Sequence, residues 1–326
     1  MELWELLSPR FPRPRFSCWF SSSAMDMSSL NAGGQGPFYR RPKLTSPMQL
    51  SGADELLEHL VEYYDRVAPE YDSWAGGLHG RVAARLAEVA VPKKGETVLD
   101  VGCGTGLVTQ LVAEKVGKKG SVVGIDLSAR MLDLARLKAR PNTTFMAVAA
   151  EHVPFRDKSF DLVTYGQSLP YLSDPIGSLE ESIRLLRKKG RVALSLHRRS
   201  LHTEAQDLFY EVLGDLAVRH HLRVPEHSPE RSVFGEPENL SRLLDELGFS
   251  DVRLTEMVTG GRARTPREWT ELMAGSGPLP HTLIRVLGPR LRTEFEVTLA
   301  ERMQELGAEA FRYHFAFIFA SGFLTG

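Results

Sequence analysis

The sequence predicts an α/β fold: a Rossmann-like, seven-stranded, mostly parallel sheet with helices on both faces, an antiparallel last strand, and helical insertions forming a lid. Three observations predict it. Between Thr97 and Leu196 short β-branched runs alternate with helical stretches, the rhythm of βαβ units. The first of these runs breaks into a glycine-rich turn, Gly102 to Gly106, that opens a helix. After Leu196 the rhythm stops, and a mainly helical remainder carries two further strands.

An amphipathic helix is predicted over Ala53–Glu70, where Leu57, Leu60, Val61, Tyr64 and Val67 recur at helical spacing and lead into Tyr71 and Trp74. A second helix, Gly80–Val89, precedes the first strand. The alternating part reads as strands Thr97–Val101, Ser121–Ile125, Thr143–Val148, Asp161–Tyr165 and Arg191–Leu196. Helices Leu107–Val116, Ala129–Ala139 and Ile176–Arg187 lie between them. Beyond it come a helical piece from His202 to about Leu222, a helix Glu238–Leu247, a strand Val252–Met257 and a closing strand Arg312–Phe323. The stretch between the last two strands is too long for a bare hairpin loop. It reads as helices Pro266–Met273, Leu279–Leu287 and Leu291–Leu306, an insertion expected to cover the site.

Residues 1–50 differ in composition from the rest of the chain: Arg10 to Ser23 holds three Arg, four Ser and no acid. That stretch fits a disordered tail, an over-extended start or a targeting segment, although Pro9, Pro12 and Pro14 break any helical periodicity. Residues 51–326 form one domain with a core at 92–198, a helical insertion at 200–223 and a lid insertion at about 259–309. The cytoplasm is the default compartment, with mitochondrial or plastid import the alternative reading of the first fifty residues.

Composition narrows the function. Of 326 residues, 42% are hydrophobic and 25% charged, which excludes fibrous and disordered classes. A formal net charge of -1 leaves no basic footprint for nucleic acid, so none is expected as a partner. Cys18 and Cys103, the only cysteines, make neither a disulfide framework nor a metal clip. No apolar run reaches the roughly 18 residues that span a bilayer, and Phe315–Phe323 reads as a buried strand. Oligomeric state is left open.

The run Val98-Leu99-Asp100-Val101-Gly102-Cys103-Gly104-Thr105-Gly106-Leu107 is the informative one. A glycine turn lets the backbone approach a ligand and aims helix amides at it, but dinucleotide enzymes use the same device. Their fingerprint wants its third glycine one position later, where this chain has Leu107. A carboxylate at Asp100 would repel a pyrophosphate and favour a ligand carrying an ammonium group. Asp126, at the end of the second strand, is placed to accept two ribose hydroxyls; alternatively it caps the next helix, as does Ser128. Cys103 reads as a small space-filling residue.

These residues resemble the class I S-adenosylmethionine-dependent methyltransferases, especially the small-molecule group that includes ubiquinone and menaquinone methyltransferases. The resemblance runs from about Tyr63 to Leu196 through VLDVGCGTG, GIDLSARML, AAEHVPFRDKSFDLVTYGQSLPYLSDP and LRKKGRVALSL, in that order. It implies S-adenosylmethionine as cofactor and a small-molecule methyl acceptor as partner. By that likeness Asp100, Gly102, Thr105 and Gly106 line the methionine side, and Asp126 holds the ribose. Leu127 and Met131 flank adenine, with Ala150 and Glu151 at its polar edge. Gln167 stands close to the transferable methyl, and Tyr64 and Tyr71 belong to a lid over the cofactor. Ala149 departs from the pattern, because many relatives carry there a side chain able to bond the adenine amino group.

Methyl transfer from a sulfonium needs a general base only for a poorly acidic hydroxyl or a protonated amine. His197, ending the fifth strand, is the candidate for that role, against a structural histidine as the plainer reading. His220 and His221 lack a ligand-spaced third partner, so no metal is expected. Phe209, Tyr210, Trp269, Leu272, Met273 and Leu283 read as helical core, or as the walls of an apolar acceptor pocket. Arg262, Arg264 and Arg267 read as a solvated loop. A protein or RNA methyltransferase, an NAD-dependent dehydrogenase and a non-catalytic scaffold of the same fold are the competing functions.

Overall fold

The computed structural model describes residues 47–198, 201–222 and 233–325. The predicted tail or targeting segment, apart from residues 47–50, lies outside them. Seven strands form one sheet in the order β3-β2-β1-β4-β5-β7-β6. They are β1 Thr97–Val101, β2 Ser121–Asp126, β3 Thr143–Ala147, β4 Phe160–Gly166, β5 Leu186–His197, β6 Phe249–Arg262 and β7 Arg312–Leu324. β1 to β5 pair in parallel, while β7 runs antiparallel to both β5 and β6. The predicted seven-stranded, mostly parallel sheet with an antiparallel last strand is the observed one.

The parallel strands read as continuous apolar runs because both faces of the sheet are covered. Side chains alternate across it. Val98, Val122 and Leu162 pack with α2 (Trp74–Val89) and α3 (Leu107–Val116). Leu99, Val123 and Val163 pack on the opposite face, with α5 (Pro175–Leu185) and α7 (Pro237–Glu246). Between them, α1 (Pro47–Tyr71), α4 (Ala129–Leu137) and α6 (Glu204–Arg219) complete the ordered helices of the first two thirds. The insertion after β6 supplies α8 (Pro266–Ala274), α9 (Pro278–Val286) and α10 (Gly288–Glu305).

These last helices and α6 build a third core from Phe209, Trp269, Met273, Phe295 and Met303. Tyr210 and Leu283 pack against it, and Leu272 turns instead to the core under α2. The aromatic residues of the insertion are therefore mainly core. No helix among the described residues is long and apolar enough to cross a membrane.

The chain leaves β3, at one edge, to return beside β1 as β4. That reversal opens a crevice at the carboxyl ends of β1 and β4, where sheets of this type hold ligands.

Candidate functional site

The turn after β1 is left-handed at Gly102 (φ 64°), Gly104 (φ 54°) and Gly106 (φ 82°). A Cβ on Gly102 would stand 2.3 Å from the Ser168 Cβ, so only glycine fits there. Ser168 in turn donates its hydroxyl to the Val101 carbonyl at 2.5 Å. Beside Gly104 there is open space, which leaves its backbone bare to the crevice.

Asp126 stabilises this turn through both carboxylate oxygens, accepting the Gly104 amide at 2.8 Å and the Ser128 amide at 2.9 Å. Capping of α4 falls to Ser128, whose hydroxyl accepts the Met131 amide at 3.1 Å. Each Asp126 oxygen retains a further acceptor site. Burial pushes its carboxyl up, offset by the amides of Ser128, Gly104 and Leu127.

Asp100 sits deeper than the sequence suggests. It is 1% exposed and accepts hydroxyls from Thr109 at 2.5 Å and Thr164 at 2.8 Å. Burial raises its carboxyl to about 6 against those two bonds. Its side chain lies beneath the turn, in the wall of a small pocket that Gly102 and Thr105 also line.

Of the expected cofactor residues, Tyr71, Gly102, Asp126, Leu127, Met131, Ala150, Glu151 and Gln167 line one cleft of about 100 Å³. Tyr71, Asp100, Gly102, Thr105 and Gln167 line a neighbouring pocket of about 30 Å³. Gly106 lines neither: a Cβ there would meet Ala135 and Phe145 at 3.2 and 3.3 Å, so its glycine serves helix packing. Glu151 lines the cleft, but one oxygen is taken by the Ser173 hydroxyl at 2.5 Å and the Asp174 amide at 3.0 Å. Cys103 is a buried thiol whose pKa burial pushes up, an inert filler.

The cleft is narrow because α1 lies across it. Asp65 of α1 accepts the Ser128 hydroxyl at 2.5 Å and the Arg130 amide at 3.1 Å. Asp72 accepts the Thr105 hydroxyl at 2.5 Å and pairs with Lys138 at 2.6 Å. Tyr64 and Tyr71, singled out in the sequence, line the cleft, whereas sequence reasoning missed these two carboxylates.

A larger cavity of about 670 Å³ opens on the other side of Tyr71 and Gln167. Its walls come from α1, from His197 and Phe317 on adjacent strands, and from α8 and α9 of the insertion. Tyr71 and Gln167 line all three spaces, and so mark their junction. Gln167 holds its place at φ 62°, with its amide bonded to the Ser195 carbonyl at 3.1 Å. His197 lies in the wall of the large cavity, edge-on to Phe317 at 4.9 Å.

One residue of the junction is not legible in the sequence. After α1, Ala75, Gly76 and Gly77 are all left-handed, and this reset swings His79 back under the lid. Its ring lies flat on Tyr71, centroids 4.0 Å apart and planes within 2°, and also stacks with Trp74 at 5.1 Å. Burial lowers its pKa to about 4, opposed by a hydrogen bond to the Gln167 side chain.

The donor set suits a phosphate-free nucleoside: a carboxylate with acceptor capacity at the end of β2, an apolar slot from Leu127, Met131 and Val148, and a buried acid beneath the turn. A diphosphate would face two carboxylates there. The fold and this crevice define a nucleoside-binding doubly wound α/β protein.

Comparison with known proteins takes the identification further. Residues 99–194 match the family model described as "Methyltransferase domain". A 2-phytyl-1,4-naphtoquinone methyltransferase of Thermosynechococcus vestitus is 30% identical over 64% of this chain and 98% of its own length. A demethylmenaquinone methyltransferase of Lactobacillus johnsonii is 28% identical over 62% and 89%. Among solved structures, the phosphoethanolamine N-methyltransferase 2 of Haemonchus contortus shares the fold at a TM-score of 0.52. It is 19% identical, over 83% of this chain and 60% of that one. The chain belongs to the class I S-adenosylmethionine-dependent methyltransferases.

Proposed function

We propose that this enzyme transfers a methyl group from S-adenosylmethionine to a small aromatic acceptor held in the 670 Å³ cavity. The observation that carries the reading is the meeting of three spaces at Tyr71 and Gln167. The cofactor supplies, when bound, a methyl carbon on a positively charged sulfur. Asp126 takes the ribose hydroxyls, Leu127 and Met131 the faces of adenine, and the backbone of Ala150 its edge. Tyr71 and Gln167 stand at the methyl and fix the line of approach. Holding two reactants in line supplies on the order of 7–11 kcal/mol of the barrier in favourable cases.

The acceptor side supports an aromatic ligand. Tyr63, Tyr64, Tyr71, Trp74, Tyr171 and Phe317 all face the cavity. The relatives named above act on quinone-type molecules, in keeping with such walls. We assign the helices α8 to α10 to a lid that excludes water once the acceptor is bound. His197, in the wall, contributes shape through its contact with Phe317. The test is calorimetric titration with S-adenosylmethionine and S-adenosylhomocysteine, followed by incubation with labelled cofactor and cell extract. Binding with a dissociation constant in the micromolar range, and a labelled low-mass product, are expected. Heat with NAD and none with either sulfur nucleoside would refute the reading.

A further inference from the structure

The wall of the large cavity changes character away from the junction, where arginines join the aromatic rings. Resting on the reading that this cavity holds the methyl acceptor, we propose that Arg66 and Arg285 form a subsite for a carboxylate carried by that acceptor. The pair would select an aromatic acid over a neutral molecule of the same shape. Both residues line the cavity, Arg66 from α1 and Arg285 from α9. They converge on His281, a third lining residue one turn before Arg285, whose ring packs edge-on to Tyr63 at 5.0 Å. Burial lowers the pKa of His281, and the charges of Arg66 and then Arg285 lower it further; no acid of the described residues opposes them. The region between α1 and α9 is therefore electropositive.

The other charged groups of the wall are Arg292, Glu70 and Glu271. Arg292 pairs with Glu296 at 3.0 Å and Glu271 with Arg267 at 2.9 Å, both partners lying outside the wall. Glu70 lies one turn beyond Arg66, toward Tyr71, and makes no ion pair with it. Among the described residues neither Arg66 nor Arg285 has an ion-pair partner. A guanidinium is charged at every physiological pH and presents a planar fork of donors that matches the two oxygens of a carboxylate. Two such forks, on separate helices and facing one cavity, make an anion the complementary ligand.

Position along α1 sets the length of that ligand. Arg66 precedes Tyr71 by five residues, about 7.5 Å along the helix axis. That distance corresponds to about two fused rings, with the carboxylate at one end and the methyl-accepting atom at the other. The junction at Tyr71 and Gln167 thus stays uncharged while the far end of the cavity anchors the acid.

The test titrates the full chain, loaded with S-adenosylhomocysteine, with 2-naphthoate and with its uncharged isostere 2-naphthamide. Wild type is expected to bind the naphthoate about tenfold more tightly, the range of hydrogen bonds to a charged group. In the double variant Arg66→Gln, Arg285→Gln the ratio is expected to fall to about two or less, with the naphthamide affinity unchanged. Both side chains are exposed and unpaired, so the variant is expected to fold. Arg267→Gln, at an arginine outside the cavity wall, is expected to keep the wild-type ratio. Equal affinities on wild type, no binding of either probe, a ratio that survives the double variant, or a ratio that falls as far in Arg267→Gln would overturn the subsite. The titrations are repeated on the free chain. Absence of S-adenosylhomocysteine binding would remove the cofactor reading alone, because the preference of the free chain for naphthoate still decides the arginine assignment.

Discussion

Replacement of Asp126 by Ala separates two jobs that this carboxylate performs. Within the folded chain it accepts the Gly104 amide at 2.8 Å and the Ser128 amide at 2.9 Å, so the variant loses both turn contacts. Each is worth about 0.5–1.5 kcal/mol, for a stability loss of about 1–3 kcal/mol. Toward the cofactor, two ribose hydroxyls lose a charged acceptor. That is expected to weaken S-adenosylhomocysteine binding by about 1–3 kcal/mol, or roughly 5- to 150-fold. A distorted turn also lowers affinity, so the assay is a cycle. Calorimetry compares S-adenosylhomocysteine with its 2′-deoxy analogue on wild type and variant. If Asp126 holds the hydroxyl, the deoxy analogue loses affinity on wild type and little on the variant, a coupling of about 1 kcal/mol. Asp126→Asn, which keeps one oxygen for an amide, is expected to fall between. A coupling near zero in a folded variant would refute the ribose assignment.

Three further outcomes are expected. Asp65→Ala combined with Asp72→Ala removes the contacts that tie α1 to Ser128, Arg130, Thr105 and Lys138, and should speed cofactor release about tenfold in stopped flow; an unchanged rate would show that α1 does not gate the cleft. Arg191, 5% exposed at its side chain, pairs with Glu96 at 2.8 Å and donates to the Ala90 and Val91 carbonyls. Arg191→Met should cost about 3–5 kcal/mol in urea unfolding, with part recovered on adding Glu96→Leu. The acid limb of stability has two opposed parts. His79 titrates near 4 when folded against 6.5 ordinarily, so stability is lost as pH falls from about 6.5 toward 4. Asp100 titrates near 6 against 3.8, so its part is lost as pH rises from about 4 to 6. Each part is on the order of 3 kcal/mol. His79→Phe should therefore gain stability relative to wild type as pH falls from 6 to 4, and parallel curves would refute the His79 shift.

Legibility in the sequence followed the distance over which a feature is determined. The buried strands β1, β2, β4 and β5 are readable because a two-faced sheet demands unbroken apolar runs, a local signal. The sequence pattern marks β6 only over Val252–Met257, whereas the strand extends over Phe249–Arg262. It is an edge strand paired only with β7, much of it exposed, and Gly260 and Gly261 carry no strand signal at all. The second helix is expected from Gly80, whereas helical hydrogen bonding is resumed at Trp74 across three left-handed residues. That reset, which no periodicity reports, is what places His79.

The site shows the same division more sharply. The glycine turn and Asp126 are legible because backbone geometry requires those residues at that spacing. Sequence reasoning finds Asp100 but not its burial: strand position gives the direction of a side chain, whereas Thr109 and Thr164, which bury it, lie on a following helix and a neighbouring strand. The large cavity is legible only in outline, from the length of the insertion, since its walls join residues from Tyr63 to Phe317. Charge decides what that assembly asks of its ligand. The acids gather beneath and behind the turn, while the junction itself presents Tyr71, Gln167 and His79, each uncharged at neutral pH. A junction without a fixed charge leaves any transfer between the spaces that meet there to be governed by the alignment of the two partners.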